Sequence, residues 1–339
     1  MTLSRAQLVT LAVFAAVTLG ALYYVLPRLA GLDDTWERIQ DGDPWWLAAA
    51  VTFELLSFAS YVALFRRVFV RGESRIGWRE SYQITMAGVA ATRLFATAGA
   101  GGIALTAWAL RRSGMTRRQV AASMTTFIVL LYGVYMLALV VVGLGLATEL
   151  LPGGGSPAIT LVPAIFGAVV IVVALALALL PRGVEQEEAA PVATGGFARW
   201  TARAAAVSDP LARGVRGALG LLGRGDPAIL AAVGWWAFDI AVLWACFHAF
   251  GTPPPTAVIV MAYFVGMAAN TLPVPGGIGS VDGGMIGALI AFGVDAGLAI
   301  VAVLSYRAFA FWLPTIPGTI AYLGLRRTIK GWQLSDARS

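Results

Sequence analysis

Six apolar runs, each close to the length of a bilayer crossing, dominate this sequence: residues 8–27, 46–65, 120–147, 158–180, 228–250 and 296–325. A hydrocarbon core of about 30 Å takes about 20 apolar residues in a helix. Backbone N–H and C=O groups in that core must be satisfied within the segment, so runs of this length dictate helices. Two further apolar stretches, 82–110 and 257–292, are broken by glycine or proline clusters. Composition agrees with the runs: of 339 residues, 59% are hydrophobic and 12% charged. Soluble domains average about 45–50% and about 25%, and a disordered chain needs the opposite bias. One cysteine and one histidine exclude an internal disulfide framework and argue against a His/Cys metal cage, so no metal or cofactor is expected. The run 8–27 is too long for a signal-peptide core and lacks a clear small-x-small cleavage site, so it is read as a retained helix.

Basic residues set the orientation, because short cytoplasmic loops collect Lys and Arg. Arg66, Arg67, Arg71, Arg75 and Arg79 follow the second run, and Arg111, Arg112, Arg117 and Arg118 lie in 111–119. Arg182, Arg199, Arg203, Arg213, Arg216 and Arg224 lie in 181–227, and Arg326, Arg327 and Lys330 follow the last run. Loop 28–45 instead carries Asp33, Asp34, Glu37, Asp41 and Asp43 against two arginines, and the connections at 152–157 and 253–255 carry no base. Both termini are therefore expected in the cytoplasm of a multi-pass cell-membrane protein. The net charge of +6 is then topogenic, and no nucleic-acid partner is implied.

This assignment makes segment 82–110 enter and leave by the cytoplasmic face, and segment 257–292 by the opposite one. Each has room for two short helices around a break. With an offset of 178, Gly88, Ala90, Ala91, Leu94, Gly99 and Gly101 fall on Gly266, Ala268, Ala269, Leu272, Gly277 and Gly279. The expected fold is an all-α polytopic bundle of about six full spans plus two re-entrant hairpins, arranged as an inverted repeat in a single transmembrane domain. Its halves would cover about 46–180 and 228–325, joined by a cytoplasmic linker, 181–227. Within that linker, 197–223 reads as an amphipathic helix on the anionic inner leaflet or as a disordered stretch. Inverted repeats with interrupted helices are the usual build of secondary transporters, with the site where the breaks meet.

Ionisable groups inside a bilayer are costly and face a cavity or a partner. Glu54, Arg93, Asp239, Asp282 and Arg307 lie within apolar segments. For Glu54 and Asp239 a structural ion pair and a supporting place in a site stand as equal readings; Arg93, Asp282 and Arg307 point to a site. Arginine offers a planar fork that matches phosphate oxygens and stays charged. The sharpest motif is Leu272–Gly284, LPVPGGIGSVDGG. Pro273 and Pro275 stop the incoming helix, while Gly276, Gly277 and Gly279 allow a turn through positive φ. A helix starting near Ser280 would aim its positive end at the same spot, with Asp282 offsetting that dipole or pairing with Arg307. Tyr306 joins the substrate-binding set, and Asn270 and Trp312 are supporting candidates. His248 and Cys246 read as packing residues.

The stretch LPVPGGIGSVDGGMIGALIAFGV, with Ser305-Tyr306-Arg307 and Trp312-Leu313-Pro314 after it, resembles the signature of the flippase-like transmembrane family. This is the membrane region of lysylphosphatidylglycerol synthases and of many stand-alone bacterial and archaeal proteins. ATRLFATAGAGGIALTAWALRRSGM resembles the matching element of its first half. The resemblance covers most of the chain and implies translocation of an aminoacylated or otherwise modified phospholipid between leaflets. The family usually has glutamate where Asp282 stands, and it commonly has an acidic residue after the first-half glycines, where this chain has Ile103. No soluble aminoacyl-transferase domain follows the last span, so lysyl transfer is not expected. The function expected is therefore a non-enzymatic lipid flippase or transporter acting on an anionic phospholipid headgroup. A membrane-embedded lipid-modifying enzyme, or a non-catalytic partner of one, is the alternative.

Overall fold

The computed structural model describes residues 41–70, 75–94, 100–179, 196–271, 277 and 279–336, and all regular structure among them is helical. The run 8–27, Arg71 and Gly276 lie outside the described residues. Helix α1 spans Pro44–Phe69, α2 Trp78–Leu94, α3 Ala100–Arg112, α4 Arg117–Ala147, α5 Pro157–Leu179, α6 Gly196–Gly223 and α7 Ala228–Phe250. Then come α8 Thr256–Ala268, α9 Ser280–Ala291, α10 Ala296–Arg307, a π turn Ala308–Trp312 and α11 Leu313–Asp336. Five stretches are long and apolar enough to cross a membrane: α1, α4, α5, α7 and Ala296–Leu334 across α10 and α11. They coincide with five of the six apolar runs, and the molecule is a polytopic membrane bundle.

Local chemistry explains where these helices begin. Pro44 occupies the first turn of α1, and the Asp43 carboxylate accepts from Trp45 N at 2.8 Å, as an N-cap should. Thr116 and Gln119 form a reciprocal capping box at the start of α4. The two broken segments are helix pairs. α2 has 17 residues, α3 13, α8 13 and α9 12. At 1.5 Å per residue each falls short of the ~30 Å hydrocarbon core.

Helices α1 and α7 pack side by side at the centre. Ser57 Oγ donates to the Trp235 carbonyl at 3.0 Å, Phe58 meets Trp235 edge-on, and a Cβ on Gly234 would sit 2.7 Å from Ser60 Oγ. Each short pair also closes through glycines. A Cβ on Gly102 of α3 would come within 2.5 Å of the Gly88 carbonyl on α2, and one on Gly266 of α8 within 2.8 Å of Met285 N on α9. Small residues at such crossings let backbones approach closely in a membrane, where van der Waals packing drives association.

One expectation needs revision. The stretch 197–223 lies in α6, and its C-terminal half is docked into the bundle. Ala212, Val215, Ala218 and Leu221 are buried. Gly214 and Gly217 abut Thr125 and Thr126 of α4, and Arg216 Nη1 donates to the Ala178 carbonyl at 3.1 Å. The stripe that makes this contact is mostly glycine and alanine, which fits a close helix crossing better than a lipid surface.

Candidate functional site

Between α1, α2, α4, α7 and the α10–α11 junction lies a cavity of about 300 Å³, at the small end of the ~300–1,000 Å³ of ligand pockets. Its lining combines two chemistries: the rings of Tyr61, Phe65, Phe127, Tyr132, Trp235 and Trp236, and the polar groups of Arg93, Asp239, Asn270, Tyr306 and Arg307. Glu54 and Asp282 do not line it and are both buried. The structure thus brings together the five intramembrane charges scattered from residue 54 to residue 307.

Asp239, from the middle of α7, accepts hydrogen bonds from Tyr263 of α8 and from Tyr306 of α10, the latter at 2.9 Å. Glu54 of α1 is buried on the helix packed against α7, where the neighbouring rings of Phe53 and Phe238 stack at 6.4 Å. Its Oε2 has no hydrogen-bond partner among the described residues. Glu54 and Asp239 are therefore two buried acids on neighbouring helices.

Asp282 divides its two oxygens. Oδ2 accepts from Gly279 N at 2.9 Å and so caps the start of α9. Oδ1 lies 2.5 Å from Arg307 Nε, a charge contact without the alignment of an N–H···O bond. Gly277 and Gly279 have φ of +65° and +79°, the left-handed turn that glycine alone adopts cheaply. A side chain at Gly277 would also strike Asn270 Oδ1 at 2.8 Å. The turn anticipated from the motif is present at both described glycines, but the cap it presents is already filled by Asp282.

Arg93 is held by backbone. Nη1 donates to the Phe311 carbonyl at 2.8 Å and Nη2 to that of Ala310 at 2.6 Å. The reason lies four residues on, because Pro314 has no N–H to give to Ala310. Just before it the helix widens into the π turn, where Leu313 N reaches back to the Ala308 carbonyl. π turns of this kind recur at functional sites. The Phe311 ring lies between the two cations, 5.3 Å from the Arg93 guanidinium and 4.6 Å from that of Arg307. Trp312 is half-buried, packs edge-on against Phe311 at 5.1 Å and is not one of the cavity-lining residues.

Sequence reasoning did not single out Tyr263 or the aromatic part of the lining. Tyr263 sits in an apolar run that reads as core, and only its meeting with Asp239 gives its hydroxyl a role. Pro314 stood beside the motif, and its unfilled carbonyl was the available clue to where Arg93 would reach.

Residues 7–318 match the family described as the lysylphosphatidylglycerol synthase TM region. A UPF0104 membrane protein of Methanothermobacter thermautotrophicus is 33% identical over 99 residues. That match spans 28% of this chain and 28% of the relative's length.

Proposed function

Because the chain belongs to the lysylphosphatidylglycerol synthase TM-region family, we propose that it moves an anionic or modified phospholipid headgroup between leaflets through the cavity. The observation that carries this reading is the cavity's lining, which combines two arginines with a set of aromatic rings. A phospholipid combines the same two chemistries. Its phosphate would lie against Arg307 and Arg93, and its apolar part would run along Tyr61, Phe65, Phe127 and Trp235. Guanidinium pairs with phosphate through several donors at once, and Asp282 holds Arg307 in place from behind.

In this proposal α2–α3 and α8–α9 are re-entrant hairpins from opposite leaflets, related as an inverted repeat. Their glycine crossings at Gly88 and Gly266, which are 178 residues apart, support that equivalence. The two termini lie in the cytoplasm and the bilayer is the plasma membrane. The chain itself performs no covalent chemistry, and a lipid-modifying enzyme supplies its cargo.

Reconstitution into liposomes with a fluorescent phosphatidylglycerol tests the assignment. Losing a charge-assisted contact of about 1.5–3 kcal/mol makes Arg307→Ala slower than wild type by about tenfold or more, and Asp282→Ala slower in the same direction. Wild-type rates in both variants would sink the site.

A further inference from the structure

Two buried carboxyl groups on helices packed side by side, as Glu54 of α1 and Asp239 of α7 are, raise a question of proton count. An ionised carboxylate only accepts hydrogen bonds, and two buried like charges repel, so one shared proton relieves the pair. Both residues are buried, Glu54 at 2% exposure and Asp239 at 6%. Asp239 is clamped by the Tyr263 and Tyr306 hydroxyls, while Glu54 Oε2 lacks any hydrogen-bond partner among the described residues. A buried oxygen without a partner is far less costly on a neutral group than on an anion.

The charge count leads to the same place. Among the described residues set within the apolar segments, Arg93 and Arg307 face three carboxyls: Glu54, Asp239 and Asp282. Asp282 pairs with Arg307. Arg93 then stands opposite two acids, and one shared proton makes the whole set neutral. We infer that Glu54 and Asp239 form a proton-binding site, which holds one proton when the cavity is empty and takes up a second when an anion occupies it.

The second proton follows from competition for the same cations. A phosphate against Arg93 and Arg307 adds a negative charge that nothing else in the lining offsets, and a like charge nearby favours protonation of the pair. Asp239 lines the cavity, so the proton comes from water there and returns to it; no other reactant is needed. The groups facing the pair are few. Arg93 comes from α2, Tyr263 from α8, and Tyr306 and Arg307 from α10, with Asp282 of α9 behind Arg307. From α4, Tyr132 reaches the cavity and Tyr135 donates to the Phe264 carbonyl at 2.5 Å; Tyr61 of α1 completes the set. The π turn adds no titratable group. Tyrosines stay neutral near pH 7, so the acids and arginines carry the balance. The first proton rests on burial and the charge count, whereas the second rests on the proposed anionic cargo.

Infrared spectroscopy of the full chain in lipid nanodiscs at neutral pH separates the two. The carbonyl stretch of a protonated carboxylic acid is expected in wild type and is lost in both Glu54→Gln and Asp239→Asn, which preserve shape. Absence of that band from wild type, or its survival in both variants, overturns the proton site. Titration with fluorescent phosphatidylglycerol then reads the coupling. One proton taken up per lipid tightens wild-type affinity about tenfold for each unit of falling pH, and the double variant shows no such slope. A wild-type affinity independent of pH overturns the second proton. Failure of the lipid to bind defeats the cargo assignment, and with it the second proton, while the infrared band still decides the first.

Discussion

Arg93 is where a single side chain ties the two halves of the sequence together, through carbonyls 217 and 218 residues away. Its fork answers a vacancy that Pro314 creates, so the two residues should be energetically coupled. Arg93→Lys keeps the charge but loses the paired donors, and a drop of about 1.5–3 kcal/mol in stability is expected, read as a lower melting temperature in detergent. Pro314→Ala restores an N–H for Ala310. In that background the same Arg93→Lys change should cost less, with a coupling of about 0.5–3 kcal/mol across the cycle. Purely additive effects would show that the carbonyl contacts do not matter. The residue types were legible in the sequence, since five charges in apolar runs must be accommodated. Their partners were not, because no periodicity records that position 93 meets position 310, or that Glu54 and Asp239 fall on helices packed side by side.

At the scale of elements, the helix pairs owe their closeness to particular glycines, and others nearby are dispensable. Gly266→Ala drives a methyl to within 2.8 Å of Met285 N, whereas a Cβ on Gly287 of the same pair meets nothing within 4 Å. The first substitution should destabilise by about 1–3 kcal/mol through overpacking. The second should be neutral or stabilise by up to about 1 kcal/mol as the helix gains propensity. Thermal melts of the two variants side by side decide it, and equal melting temperatures would refute the close-crossing account. Breaks in 82–110 and 257–292 could be read directly, because clusters of glycine and proline disfavour one continuous helix. The docking of α6 could not. Its contact stripe of Ala212, Gly214, Gly217 and Ala218 is nearly neutral on any hydrophobic scale, and its value lies in shape.

For the molecule as a whole, the alternation of arginine-rich and base-free loops predicts which ends of the helices share a face. Ser113→Cys, beside Arg111 and Arg112, and Thr252→Cys, in the base-free turn before α8, are expected to react with an impermeant thiol reagent from opposite sides of sealed vesicles. The native Cys246 is buried and should leave the background silent. Labelling of both sites from one side would invert half of the bundle and dismantle the proposed repeat. Five spans and the broken pairs could be read from hydrophobic length, yet the cavity could not, since its lining comes from helices far apart in sequence. The Phe311 ring, in contact with both Arg93 and Arg307 on a widened turn, joins the two cations to one element. The two cations are geared to one lever, so any small rotation of that turn shifts both of them together.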